Sequence, residues 1–397
     1  MVDNIMSFLI DRIQVQLIAT IKEDALKTTP NLFSGAFGLW FSLYQCQKHL
    51  PEQVSEAFLE QSLQSLLEYY SHTHKDLSCS NGLAGIGWLL EYLRSDQQWS
   101  IDHNDELEEL YLRVLSVQTW EQDYEYILGL TGYAPFILRR AGRCERSLTL
   151  AFAWLSHVEQ LAQYDQYGGC YWVTPASSCF RIKRHNPFHQ EVNLGMAHGM
   201  VGTLNALCKA TEIPQLRDRA LVLVTAGAEY LLRQQNDKNC ESLYPYVSGT
   251  KVTSRLGWCY GDLPVALLFS RLAVITTNGA YAKHSSALIQ HIFARNADSG
   301  LVFDGGICHG AAGIWLVLNQ IQNLNVCRFD TDHLRFWTDW LLNHFFKHQD
   351  TGMGFASYIQ GNFTQNDGLL EGNAGVLLVL LIIKGYSADW LDLFLLA

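Results

Sequence analysis

Positive charge is scarce in this sequence. Its 397 residues carry 28 Lys and Arg against 39 Asp and Glu, a formal net charge of −11 with histidine neutral. A nucleic-acid-binding protein neutralises phosphates with a basic face, and the sequence has no long Lys or Arg cluster to build one. We therefore predict that nucleic acid is not a partner.

Long apolar stretches are also missing. The longest runs from Gly375 to Ile383 and is too short to span a bilayer. The N-terminal stretch carries Asp3 and Asp11 among its apolar residues and no basic segment, so it does not resemble a secretory signal. These features predict a cytoplasmic protein without a transmembrane segment.

The cysteines lack the arrangement of a disulfide framework. Ten of them are scattered over a long chain without a signal, so we interpret them as cytosolic thiols, a few of which bind metal. What the sequence does have is apolar material, because 48% of its residues are hydrophobic and 12% aromatic. A large buried core is therefore expected, and general disorder is excluded.

A Gly-x-x-Gly motif recurs at the start of apolar runs. Successive first glycines are 47 to 70 residues apart, enough for two helices and their turns. In the fifth copy, Pro264 replaces the second glycine, which we expect to affect only the start of the following helix. The first glycines of the seven copies are Gly35, Gly82, Gly129, Gly199, Gly261, Gly310 and Gly372.

Each repeat is therefore interpreted as a helical hairpin. Segments such as Val54 to Tyr70 and Arg217 to Arg233 have the amphipathic spacing of outer helices, whereas the runs after the glycines suit buried inner helices. The predicted fold is all-α, an α/α toroid over residues 1–397 in one domain, with an open solenoid as the alternative. Residues 164–193 predict a small β-rich insertion, and residues 353–368 a rim loop.

Residues just before the first glycine of each motif are equivalent, so in a ring of repeats they should lie close together at one end of the ring. The later copies place Cys259 and Cys308 two positions before the first glycine, and His309 and His198 lie immediately before it in their own copies. Two thiols and an imidazole form a typical zinc set, and three protein ligands leave a catalytic position open. Alone, each cysteine is better explained as an inert core residue, and His198 as a structural histidine; the matched placement favours function.

The seven glycine motifs, together with W-C-Y-G at Trp258 and C-H-G at Cys308, resemble those of the lanthionine synthetase C-like family over essentially the whole chain. The resemblance implies an α/α toroid and a Zn²⁺ ion held by Cys259, Cys308 and His309. It also implies a cytoplasmic cyclase that forms thioether rings by adding peptide Cys thiols to dehydroalanine or dehydrobutyrine. The implied substrate is a precursor peptide that a separate dehydratase has dehydrated. The implied partners are that dehydratase and a transporter, in a complex at the inner membrane face.

The resemblance also implies catalytic roles for His198, Arg255 and Tyr260. One position departs from the family, which usually has Asp four residues before the third-repeat glycine; this chain has Glu125 there and Asp123 two positions earlier. Either carboxylate could be the acid–base partner, and Tyr260 could simply line the site. Alternative functions are glutathione addition with the same zinc chemistry, a prenyltransferase-like barrel, or a non-catalytic zinc-containing scaffold that binds peptides.

Overall fold

A computed structural model describes residues 2–24, 29–73, 76–96, 104–175, 191–348, 354–359 and 361–397. Fourteen α-helices in these ranges form seven pairs of one inner and one outer helix. The outer helices are α1 (Val2–Asp24), α3 (Glu56–Thr73), α5 (Asn104–Val114), α7 (Leu148–Leu161), α9 (Arg217–Leu232), α11 (Gly279–Phe293) and α13 (Asp332–His348). The inner helices are α2 (Ala36–His49), α4 (Leu83–Ser95), α6 (Ala134–Ala141), α8 (Met200–Ala210), α10 (Asp262–Thr276), α12 (Ala311–Asn323) and α14 (Asn373–Ile383).

The two classes of helix differ in burial as the sequence pattern predicts. Helix α14 is buried from Asn373 through Leu381, because an inner helix has neighbours on every side. Helix α9 buries one face, while Val222 on its other side is 63% exposed. The predicted outer segments correspond to α3 and α9, with ends shifted by at most three residues.

The inner helices close into a ring. Helices α4, α6, α8, α10, α12 and α14 pack each against the next, and α14 packs against α2. Phe41 and Tyr44 of α2 contact Trp88 and Tyr92 of α4, which completes the circle. The predicted toroid is therefore confirmed, and the open solenoid is wrong.

Strands are few and short in the described residues. In the predicted insertion, β1 (Gln163–Tyr164) pairs antiparallel with β2 (Cys170–Tyr171), whereas residues 176–190 lie outside the described residues. In the predicted rim loop, β3 (Ser357–Ile359) and β4 (Asn362–Thr364) form a hairpin, with 353 and 360 outside the described residues. No described helix is both long and apolar enough to cross a membrane.

A second, smaller ring is formed by the glycine loops, the loops that end at the first glycine of each motif. At six of the seven junctions between them, the residue two positions before the glycine donates its N–H to the carbonyl of its counterpart in the next loop. At the junction of the third and fourth loops, the N–H of Ile127 instead donates to the side chain of Glu125. In ring order these residues are Ala197, Cys259, Cys308, Leu370, Phe33, Ser80 and Ile127.

Residues 390–396, the central segment, are buried and contact the first, third and fifth glycine loops. Trp258 donates its indole N–H to the carbonyl of Phe394 at 2.9 Å, and the Tyr126 hydroxyl donates to the carbonyl of Leu393. The Phe394 ring also stacks on Phe33 of the first loop. Because these loops carry the predicted site residues, the central segment helps to fix their positions.

Candidate metal and acid–base site

Cys259, Cys308 and His309 come together at adjacent glycine loops. Their ligand atoms all lie within 4.8 Å of one another, and this is the one such His, Cys, Asp or Glu group in the described part of the chain. The N–H of Cys259 donates to the carbonyl of Cys308 at 3.0 Å, the ring hydrogen bond that sets the two cysteines side by side. The structure thus groups all three residues of the predicted metal set.

The chemistry of this group suits zinc. Two thiols and an imidazole are soft and borderline donors, and three of them leave room for a further ligand. A hydrogen bond from Cys308 lowers the pKa of Cys259 well below its usual value, although burial opposes the change, and His309 lowers it further. A thiolate is the form of cysteine that binds a metal.

The other described cysteines do not belong to a metal cluster. Like Cys259 and Cys308, they are free thiols, and most are buried. Burial raises the pKa of Cys79, Cys170 and Cys208 to about 12, which keeps them protonated and inert. Only Cys179 lies outside the described residues.

His198 faces a buried carboxylate. Its Nδ1 lies 2.9 Å from Oε2 of Glu125, whose side chain is 3% exposed. Glu125 also accepts the backbone N–H groups of Ile127 and Leu128 at 2.8 and 2.5 Å, which hold it in place. Burial lowers the pKa of His198, but the hydrogen bond and the charge of Glu125 raise it more, so the net pKa is raised.

Asp123 has a different local role. Its Oδ1 accepts the N–H groups of Tyr124 at 2.8 Å and Glu125 at 3.4 Å, which forms the turn at the start of the glycine loop. The residues six positions before the first glycine in four other repeats make the same kind of turn. They are Asp76, Asn193, Asp304 and Asn366. Asp123 is thus the turn residue of its repeat, and Glu125 is the carboxylate that contacts His198.

Arg255 and Tyr260 lie on either side of Cys259 in the fifth loop. The backbone N–H of Arg255 donates to the hydroxyl of Tyr246 at 2.9 Å. The Tyr260 ring packs directly over Gly195, where a Cβ would lie 2.4 Å from the ring, so only glycine permits this contact. The main chain at Arg255 and the ring of Tyr260 are therefore held by contacts outside the fifth loop.

Six of the eight predicted site residues line one cavity of about 300 Å³. Of the other two, Glu125 is buried against His198, and Asp123 forms its turn. The six are Cys259, Cys308, His309, His198, Arg255 and Tyr260. The cavity is also lined by Glu191, Asn193, Ala197, Tyr246 and Val247, none of which the sequence reasoning had singled out.

Of these further cavity residues, Asn193 is the one that a sequence pattern indicates. It belongs to the set of Asp and Asn residues placed six positions before the first glycine, a pattern visible in the sequence. Tyr246 and Glu191 have no such signal, because they lie outside the repeated motif and reach the cavity through the fold.

The fifth motif, in which Pro264 replaces the second glycine, starts its helix with an unusual backbone. Gly261 has φ +84°, a left-handed value that side chains rarely adopt, and the other first glycines have extended values before their helices. Helix α10 still begins directly after the glycine. The helix also runs through the position of Pro264 without interruption.

Comparison with known proteins agrees with this arrangement. The family model described as "Lanthionine synthetase C-like protein" matches residues 27–395. Among solved structures, "Nisin cyclase" aligns with a TM-score of 0.74 at 17% sequence identity, covering 98% of this chain and 96% of that chain. A sequence comparison with curated proteins finds no match. Since the family model covers nearly all of the chain and the toroid is shared, this protein belongs to the lanthionine synthetase C-like family.

Proposed function

We propose that this protein is a zinc-dependent cyclase that forms lanthionine and methyllanthionine rings in a lanthipeptide precursor. It adds cysteine thiols of the peptide to dehydroalanine or dehydrobutyrine residues of the same peptide. One observation carries the proposal: a single cavity is lined both by a zinc-type donor set and by His198, which is paired with Glu125.

Cys259, Cys308 and His309 are the residues that would hold the zinc ion. Bound zinc lowers the pKa of a coordinated thiol, so that a thiolate nucleophile exists at neutral pH. In ring closure, the peptide sulfur bonds to the β-carbon of the dehydro residue, and the electrons of the double bond move toward the neighbouring carbonyl as an enolate. The α-carbon must then take up a proton, so the reaction needs an acid.

His198 is the acid in this proposal. Its raised pKa favours the imidazolium form near neutral pH, which is the form able to give a proton to the α-carbon. Because Glu125 contacts Nδ1, we assign the transfer to Nε2. Glu125 orients the ring and stabilises its charge, which is a positioning role.

Arg255 and Tyr260 complete the proposed site. Both line the cavity beside the metal set, where a positive charge and a hydroxyl can stabilise an enolate oxygen. The same proposal includes a separate dehydratase that supplies the substrate. It also places the protein in the cytoplasm, where a complex with that dehydratase and a transporter would hold it at the inner membrane face.

The test uses zinc-loaded protein and a synthetic peptide with one dehydroalanine and one cysteine. Ring closure is an isomerisation, so the peptide should lose its free thiol without any change in mass. Cys308→Ala is the matched variant, and we expect it to lose both bound zinc and activity, because an open three-ligand site cannot spare a ligand. Elemental analysis and a thiol assay measure the two losses.

Other outcomes separate the alternatives. If the thiol persists while the peptide binds, the protein is a peptide-binding scaffold and the cyclase proposal is wrong. If added glutathione increases the peptide mass and no ring forms, the protein is a glutathione-adding relative. Full zinc content and activity in Cys308→Ala would disprove the metal assignment.

A further inference from the structure

The cavity contains a hydrogen bond whose direction is fixed. Asn193, which is 5% exposed, contacts the Tyr260 hydroxyl through Nδ2 at 3.1 Å. Its Oδ1 is engaged on the other side, where it accepts the backbone N–H of Gly195 at 2.9 Å. Since a backbone N–H can only donate, the amide cannot be turned around, and the nitrogen must face Tyr260.

This direction determines what the Tyr260 hydroxyl can do. An amide nitrogen only donates, so the phenol oxygen accepts from Asn193 and its own proton must point elsewhere. Asn193, Tyr260 and His198 all line the same cavity. The tyrosine is thereby left as a hydrogen-bond donor at the place where the proposed reaction develops negative charge.

We propose that Asn193 is a positioning residue that makes Tyr260 a hydrogen-bond donor to the carbonyl oxygen of the dehydro residue. The inference rests on the proposed function. Tyr260 keeps its proton throughout: the sulfur–carbon bond forms, the double-bond electrons move to the oxygen that Tyr260 contacts, and the α-carbon receives its proton from His198. The hydroxyl stabilises the enolate oxygen as an oxyanion donor does.

The repeats show that the turn itself does not need asparagine. Asp76, Asp123 and Asp304 form the corresponding turns with a carboxylate oxygen in place of the amide oxygen. An aspartate at position 193 can therefore keep the turn. It would, however, present an acceptor to Tyr260, which would then turn its proton toward the carboxylate and away from the substrate.

The experiment compares Asn193→Asp with Asn366→Asp in the zinc-loaded, full-length protein. Asn366 forms the equivalent turn in the seventh repeat by accepting the N–H of Gly368, so its substitution is a matched control. We expect Asn193→Asp to lower kcat for peptide ring closure by about 10-fold or more, less than the roughly 100- to 1000-fold cost of removing an oxyanion donor outright. KM, zinc content and Tm should stay close to those of the control.

A double variant tests whether Asn193 acts through Tyr260. Once Tyr260→Phe has removed the hydroxyl, adding Asn193→Asp should slow the reaction little further, because there is no proton left to redirect. Effects that multiply would overturn the proposal, as would an Asn193→Asp variant as fast as Asn366→Asp.

A spectroscopic measurement separates this inference from the proposed function. With carbon-13 at the tyrosine Cζ, the Tyr260 resonance is assigned by its disappearance in Tyr260→Phe. It should move downfield in Asn193→Asp, as the hydroxyl begins to donate to a carboxylate, and stay in place in Asn366→Asp. If the resonance does not move in Asn193→Asp, the assigned hydrogen-bond direction is wrong, whether or not the protein forms rings. If the wild-type protein does not close rings, the proposed cyclase function is wrong.

Discussion

At the scale of single residues, the candidate site depends on one side chain placed where the later repeats have glycine. Glu125 lies four positions before its glycine, and the same position is Gly195, Gly257, Gly306 and Gly368 in the later repeats. The later glycines allow the next loop to approach closely; Gly257, for instance, lies against the backbone of His309. In the third repeat, a carboxylate fills that space and reaches His198.

We predict that His198→Asn keeps bound zinc and stability while slowing ring closure by about 100-fold or more, the usual contribution of a positioned acid. The metal donor set is complete without this imidazole, so zinc content should not change. Zinc content, Tm and the rate of thiol loss are measured on the same preparation. A lower Tm with near-normal turnover would show that His198 is a structural residue only.

A second prediction distinguishes the two carboxylates. Glu125→Gln removes the charge that raises the pKa of His198, so that pKa should fall. If the imidazolium is the acid, kcat decreases as the pH rises through this pKa, and the basic limb of the pH profile should move to lower pH in the variant. Asp123→Asn is the control, because asparagine forms the same turn in two other repeats. The charge of Asp123 raises the pKa of His198 less than Glu125 does, so the limb should move less than in Glu125→Gln. An unmoved limb in Glu125→Gln would disprove its role.

At the scale of elements, the start of α10 differs from the starts of α8 and α12 by its left-handed backbone. Gly261 has a left-handed φ of +84°, and a Cβ there would lie 2.4 Å from Oγ of Ser254 and 2.7 Å from the carbonyl oxygen of Arg255. Any side chain must therefore distort the loop that carries Arg255 and Cys259.

We predict that Gly261→Ala lowers the free energy of unfolding by about 2 kcal/mol, from left-handed strain and the close contacts together. Gly279→Ala is the matched control at the first residue of α11, where a Cβ meets no atom within 4 Å. It should stabilise the protein by about 0.5 kcal/mol, because alanine restricts the unfolded chain. Urea denaturation measures both, and equal stability of the two variants would contradict the argument.

The sequence predicted the elements better than the contacts between them. Repeated glycines and amphipathic spacing are local signals, so the helical hairpins and the Cys259, Cys308 and His309 group followed from them. The choice between Glu125 and Asp123 did not follow from local signals, because it depends on which side chain reaches a histidine in another repeat. The contact of Asn193 with Tyr260 joins residues 67 positions apart, and no spacing within either motif encodes it.

At the scale of the whole molecule, the last inner helix closes the circle. Helix α14 packs against α2 and α12, and Leu370 just before it donates to the carbonyl of Phe33 and accepts from Cys308. The seventh repeat therefore connects the first repeat to the loop that carries two metal ligands. We propose on this basis that residues 1–397 fold as one domain.

Removal of residues 367–397 should then unfold or aggregate the whole chain, because it exposes the apolar faces of α2 and α12 and removes the central segment. Solubility, circular dichroism and a thermal melt measure the effect. A soluble truncated protein with an unchanged cooperative melt would show that the hairpins do not form one folding unit.

The ring of glycine loops has approximate sevenfold symmetry, and the junction of its third and fourth loops breaks that symmetry. Elsewhere the main chain spans each junction, so altering how two loops meet requires the loss of a backbone hydrogen bond. Here side chains, Glu125 and His198, span it instead. Side chains can be exchanged by mutation while the polypeptide path is kept. This junction is thus the place where evolution or engineering can change the proton chemistry of the site without dismantling the scaffold.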